Sequence, residues 1–128
     1  MNRRLMAAIV ALTVLGACRT APIYNVNEAP VPVVAQNQAT MNDVKGAILR
    51  AGARLGWQMT ETGPGVINSR IALRAHTASA DVKYTTKTYS IVYRDSSNLD
   101  ATSGTIHKNY NGWVENLDRE IRVELMRI

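Results

Sequence analysis

The sequence predicts a two-layer α+β domain: a four-stranded antiparallel meander with two helices on one face, in the order α-β-β-β-β-α. Three observations lead there. Residues 40–55 and 106–127 carry apolar side chains at helical spacing, and four short stretches between them alternate apolar and polar residues. The turns joining those four stretches are too short for parallel crossovers. The chain has 128 residues, 46% hydrophobic and 20% charged, which is ordinary usage for one small domain. Two Trp, five Tyr and no Phe leave a core built mainly on Val, Ile, Leu, Ala and Tyr.

The first helix begins at Thr40-Met41-Asn42-Asp43, a capping-box pattern. Val44, Ala47, Ile48, Ala51 and Leu55 share one face, and Gly56 is placed to end the helix. Gly46 and Gly52 weaken it by about 1 kcal/mol each relative to Ala, while permitting close packing.

Four strands follow. Trp57 to Thr62 sets Trp57 and Met59 against Gln58 and Thr60, and Gly63-Pro64-Gly65 is a turn. Val66 to Ala75 sets Ile67, Ile71 and Leu73 against Asn68, Arg70 and Arg74. A turn near His76-Thr77-Ala78 leads to Ala80, Val82 and Tyr84, and one near Thr85-Thr86-Lys87 leads to Tyr89, Ile91 and Tyr93. Such alternation fits a sheet covered on one side only. Asp95 to Gly104 reads as a polar loop. The last helix, Ile106 to about Arg127, carries the stripe Ile106, Tyr110, Trp113, Leu117, Ile121 and Leu125. Glu115 with Arg119 and Asp118 with Arg122 are acid-first pairs on its flanks.

This domain, residues 40–128, follows two segments of other character. Arg3 and Arg4 precede an apolar run from Leu5 to Gly16, shorter than the roughly 20 residues a spanning helix needs. The run ends in Leu15-Gly16-Ala17-Cys18, which resembles the lipobox of bacterial lipoproteins. The resemblance implies that residues 1–17 are a signal peptide cut between Ala17 and Cys18. It also implies that the Cys18 thiol takes a diacylglycerol and that the new amine is acylated. Acyl chains bury methylenes at about 0.8 kcal/mol each, enough in total for a stable membrane anchor. In Gram-negative lipoproteins an Asp after the Cys commonly signals inner-membrane retention. Arg19 stands there, so the resemblance implies the periplasmic face of the outer membrane.

The lone Cys excludes a disulfide framework within the chain, and with two His no metal site is expected. Once acylated, Cys18 is not a nucleophile. Removing residues 1–17 lowers Lys plus Arg from 15 to 13 against 10 Asp plus Glu, so the mature net charge is +3. That charge and compartment argue against nucleic acid as a partner. Residues 18–39 read as the lipidated Cys and a flexible tether. Pro22, Pro30 and Pro32 disfavour helix there, and an extended chain of this length reaches roughly 60 Å. The alternative is that Ile23–Val26 or Val31–Val34 docks as an edge strand, where Pro is tolerated.

A second resemblance lies in Tyr89-Ser90-Ile91-Val92-Tyr93-Arg94-Asp95-Ser96-Ser97-Asn98-Leu99 with Ile106-His107-Lys108-Asn109-Tyr110-Asn111-Gly112-Trp113. These residues look like the C-terminal half of small uncharacterised proteobacterial lipoproteins. That resemblance implies no activity and no site.

Catalytic constellations are thin. Ser96 or Ser97, His107 and Asp95 make a hydrolase trio on paper, but there is no Gly-x-Ser-x-Gly. Asp95 and Asp100 are an acid pair without an evident cleft. Tyr84, Tyr89, Tyr93 and Tyr110 with Trp57 and Trp113 suggest a sugar-stacking platform, though their spacing turns most of them toward the helices. No enzyme activity and no cofactor are expected.

The polar face of the sheet is the better candidate. By alternation it presents Gln58, Thr60, Asn68, Arg70, Arg74, Lys83, Ser90 and Arg94, with Asp81 as its acid. The four cations Arg70, Arg74, Lys83 and Arg94 suggest docking to an anionic envelope polymer or an acidic protein surface. The expected function is thus a non-enzymatic, lipid-anchored binding or assembly module of the cell envelope. The alternative is a module binding peptidoglycan or lipopolysaccharide fragments.

Overall fold

A computed structural model describes residues 19–128. The elements are β1 (Thr20–Pro22), β2 (Val26–Pro30), α1 (Val33–Gln38), α2 (Met41–Arg54), β3 (Gln58–Gly63), β4 (Val66–Leu73), β5 (His76–Tyr84), β6 (Thr88–Ser97), β7 (Thr105–His107) and α3 (Lys108–Leu125). The class is α+β. Strands β2-β6-β5-β4-β3 form a five-stranded antiparallel sheet, and β1 pairs with β7 in a separate two-stranded ribbon. The expected meander is β3 through β6; the fifth strand, β2, and one strand of the ribbon, β1, come from the segment read as a tether, and β7 from residues just before the last helix.

That reading of residues 19–39 is corrected by how the prolines are used. Pro22 and Pro30 each end a strand and Pro32 is the N-cap of α1, all places that need no continuing N–H ladder. Val26 lies opposite Ile91 and Ala29 opposite Tyr89, with a bulge between them where Glu28 takes φ 48°. The docked edge strand is therefore 26–30, which starts on the last residue of Ile23–Val26 and stops just before Val31–Val34. Val31 and Ala35 are buried in the core. Side-chain amides lock the segment down. Asn25 Oδ1 accepts from the Tyr93 N–H at 2.9 Å, Asn111 Oδ1 accepts from the Tyr24 N–H at 3.0 Å, and Asn111 Nδ2 donates to the Pro22 carbonyl at 2.9 Å.

The expected capping box is present. The Asp43 N–H donates to Thr40 Oγ1 at 3.1 Å and the Thr40 N–H donates to the Asp43 carboxylate at 2.9 Å. Val44, Ala47, Ile48 and Ala51 of α2 are all buried. Gly52 faces β3 so closely that a Cβ there would displace the Met59 thioether, which gives this helical glycine a packing role. Gly56, with φ +81°, turns the chain out of the helix.

Helices α2 and α3 pack together over one face of the sheet. Cross-strand rows Val26–Ile91–Val82–Ile67 and Tyr93–Ala80–Ser69 point toward them. From α3, Tyr110, Val114, Leu117, Ile121 and Leu125 complete the core. The start of α3 departs from expectation: Ile106 is buried as a strand residue of β7, and the helix opens at Lys108 with His107 as its cap. Tyr110, Leu117, Ile121 and Leu125 are buried as the stripe predicts, but Val114, four residues after Tyr110, takes the central core position and Trp113 at its edge is only half-buried. Of the two flanking pairs, Asp118–Arg122 forms at 3.4 Å, whereas Arg119 turns to Asn116 at 3.1 Å.

Two acids sit inside the helix–sheet sandwich. The Tyr89 hydroxyl donates to Asp118 at 2.5 Å. Glu124, 2% exposed, meets Arg50 at 3.1 Å and Arg54 at 3.5 Å from α2, with Arg127 at 3.9 Å. A charge this buried is tolerated only when paired, so Glu124 clamps the two helices at one end. No helix among the described residues is long and apolar enough to cross a membrane.

Candidate functional site

The helices cover one face of the sheet and leave the other bare. Residues Gln58, Thr60, Asn68, Arg70, Ser79, Asp81, Lys83 and Ser90 all project from that bare face, as the ladder register requires. Three of the four predicted cations are there: Arg70 on β4, Lys83 on β5 and Arg94 on β6.

Arg94 reaches the face by an irregularity. Ala80 pairs with Tyr93 but Ser79 pairs with Asp95, so Arg94 is the extra residue of a β-bulge. The bulge restarts the alternation. Tyr93 points to the core, and both Arg94 and Asp95 point to the bare face. Arg94 Nη1 lies 3.3 Å from Asp81 Oδ2, and Asn68 Nδ2 donates to Asp81 Oδ1 at 3.1 Å and to Ser79 Oγ at 2.8 Å.

Arg74 is a correction. It is not a strand residue but the first of two residues turning β4 into β5, with φ 57°. It lines a different hollow, beside Trp113, His76 and Asn109. The turn falls two residues earlier than expected because β5 runs from His76 through small residues, Ala78, Ser79 and Ala80, that carry little hydrophobic signal.

The charge of the face changes too. With Arg74 gone and Asp95 added, it carries Arg70, Lys83 and Arg94 against Asp81 and Asp95. Arg94 is neutralised by Asp81. Arg70 and Lys83 make no ion pair among the described residues. An open polar hollow of about 350 Å³ surrounds Arg70, lined also by Thr60, Thr62, Asn68, Ser79 and Asp95. A second, of about 450 Å³, runs past Lys83, Tyr84, Ser90 and Glu28 to the Gly65 turn.

The paper trio is not assembled. Ser96 Oγ bonds the Tyr93 hydroxyl at 2.8 Å, and Ser97 Oγ bonds Thr77 Oγ1 at 2.8 Å. His107 Nδ1 accepts from the Asn109 N–H at 3.1 Å as a helix cap, and Asp95 is on the opposite face. Asp100 is in the loop after β6, away from Asp95's position in the ladder. The aromatics are core: Trp57, Tyr84, Tyr89 and Tyr110 are buried, and Tyr93 meets Tyr110 edge-on with ring centroids 5.3 Å apart. Burial pushes the Tyr84, Tyr89 and Tyr110 phenols above their ordinary range, reinforced at Tyr89 by its bond to Asp118. None of them is a phenolate near neutral pH. Among the described residues no three His, Cys, Asp or Glu side chains gather as a metal site. Cys18 and Ala17 lie outside the described residues.

Comparison with known proteins yields no matching family, no matching curated protein and no matching solved structure.

Proposed function

We propose that this chain is a lipid-anchored protein of the cell envelope, held by an acylated Cys18 at the periplasmic face of the outer membrane. Its bare sheet face docks another envelope protein, without enzymatic chemistry. One observation carries the docking reading. A sheet whose inner face is sealed by two helices leaves a continuous polar outer face, on which Arg70 and Lys83 have no ion-pair partner among the described residues. The mixed charge of that face suits a protein surface bearing carboxylates better than a polyanion, because Asp81 and Asp95 repel uniform negative charge. The hollow around Arg70 supports a second reading, a site for a small polar envelope fragment such as a piece of peptidoglycan.

The test is site-directed photo-crosslinking in the lipidated protein. A photo-reactive residue at Thr60 should give one discrete protein adduct, and one at Arg119 on the far side should give none. Arg70→Glu with Lys83→Glu should abolish the Thr60 adduct. Equal adducts at both positions, or an adduct indifferent to the charge reversal, overturns the docking face.

A further inference from the structure

We infer that the domain is seated directly on its membrane, with the end formed by Arg19, the start of α3 and the β4–β5 turn pressed against anionic lipid headgroups. This rests on the reading of Cys18 as the lipid anchor. The folded chain begins almost at that residue. Thr20 is already paired with His107, and the Lys108 N–H donates to the Arg19 carbonyl at 2.9 Å. Two residues of extended chain span only about 7 Å. An acylated Cys18 therefore brings the β1–β7 ribbon to the headgroups, instead of holding the domain away on a long leash.

What lies at that end fits what it would touch. Arg19, Lys108 and Arg74 are exposed and make no ion pair among the described residues. Arg74 shares a hollow of about 320 Å³ with Leu73, His76, Asn109 and Trp113, and Lys108, next to Asn109 and bonded through its N–H to Arg19, stands at its margin. Leu73 is 46% exposed at the tip of its hairpin, and Trp113 is half-buried beside it. Asp100 follows Leu99, whose carbonyl accepts from the His107 N–H at 2.7 Å, so one acid adjoins this end. Three cations framing a Leu and a Trp have the composition of an interfacial surface, where basic groups meet lipid phosphates and the apolar groups enter the headgroup layer. Seating on this end leaves the bare sheet face free for a partner.

The experiment uses the lipidated protein reconstituted in vesicles of phosphatidylethanolamine with phosphatidylglycerol. An acylated Cys18 takes no thiol label, so Leu73→Cys and Met126→Cys can each carry a single fluorophore. Met126 is 71% exposed at the other end of α3, about 27 Å away along the helix. The Leu73 label should be quenched several-fold more by lipid-borne than by aqueous quenchers, and the Met126 label the reverse. Arg74→Glu with Lys108→Glu, or phosphatidylcholine alone, should expose the Leu73 label to water. Equal aqueous quenching of both labels in anionic vesicles overturns the seating, as does a Leu73 label equally shielded on neutral lipid. A wild-type protein that takes the label has an unacylated Cys18; the anchor reading then fails, and the seating fails with it.

Discussion

The Tyr89 hydroxyl on β6 donates to the Asp118 carboxylate on α3 at 2.5 Å. Both residues are buried, Tyr89 at 1% and Asp118 at 9% exposure, so this bond fixes the last helix to the sheet at one position. Arg122 supports the same carboxylate from its outer side at 3.4 Å. Tyr89→Phe removes the inner donor and leaves a buried oxygen short of a partner. The expected loss is about 1–3 kcal/mol, read as a lower denaturant midpoint. An unchanged midpoint would mean that Arg122 or water replaces the phenol.

Alkaline pH tests the same group. The Tyr89 and Tyr110 phenols are raised above the ordinary value of 10.0 by burial, so the folded state keeps protons that the unfolded state releases. Their contribution is complete below the unfolded pKa and is lost as pH rises above it. Stability should therefore fall more steeply above pH 10 in the wild type than in a Tyr89→Phe, Tyr110→Phe double variant. Parallel pH profiles would contradict the assigned direction.

The core should respond unevenly to truncation. Ile91 is fully buried at the centre of its cross-strand row, and Ile91→Ala should cost about 2–5 kcal/mol. Trp113, only half-buried, should cost about 1–2 kcal/mol as Ala. Equal losses would mean that Trp113 is more deeply packed than its position on α3 allows.

At the other end of the helix pair, Glu124 should be the more sensitive partner of its clamp. Arg50 and Arg54 keep 56% of their side chains exposed while Glu124 keeps 3%. Removing Arg50 takes away the 3.1 Å hydrogen bond to the buried carboxylate and leaves only longer contacts, whereas removing Arg54 leaves that bond in place. Arg50→Ala should lower the melting temperature more than Arg54→Ala. The reverse order would show that the 3.5 Å contact is the dominant one.

Charge reversal on the bare face should separate binding from stability. Arg70→Glu and Lys83→Glu break no ion pair among the described residues and should shift stability by no more than about 0.5 kcal/mol. Arg94→Glu faces Asp81 at 3.3 Å and should destabilise by about 0.5–1 kcal/mol. Any partner held by Arg70 and Lys83 should weaken as salt rises past about 0.15 M, where the Debye length is about 8 Å. A partner retained unchanged at high salt by the double variant docks elsewhere.

The anchor has its own check. Mature protein should begin at Cys18 with acyl mass attached, and Cys18→Ala should leave the membrane fraction. Arg19→Asp should redirect the protein to the inner membrane in a host that uses that sorting signal. A mature start elsewhere than residue 18 removes the basis for the envelope assignment.

Much of the fold was legible because strong local signals agreed. Thr40 with Asp43 announced α2, and Ile67, Val82 and Ile91 marked the buried rows of the sheet. Where it was not legible, the deciding information was non-local. Whether Pro30 ends a strand or interrupts a tether depends on β6 being free to accept an edge partner more than 50 residues away. The bulge at Arg94 lies inside a run that reads as plain alternation, yet it decides that Asp95 joins the bare face. Arg74 was misplaced because the β4–β5 turn contains no Gly, Asn or Asp, so a positive φ at an Arg had no local marker. Arg70 and Lys83 lie on the face that alternation assigns them because the β4–β5 ladder that holds both runs without a register shift.

The β1–β7 ribbon also orders the assembly of the chain in time. Thr20 waits for His107, and Val26 waits for Ile91, so the earliest residues depend on some of the last. Loop closure over such separations is slow. In a chain that emerges N-terminus first, residues 26–30 have no partner until β6 follows, and residues 20–22 none until β7 follows. Until His107 is available the partner edge of β1 stays open, so the ribbon is among the last pairings of the fold to close.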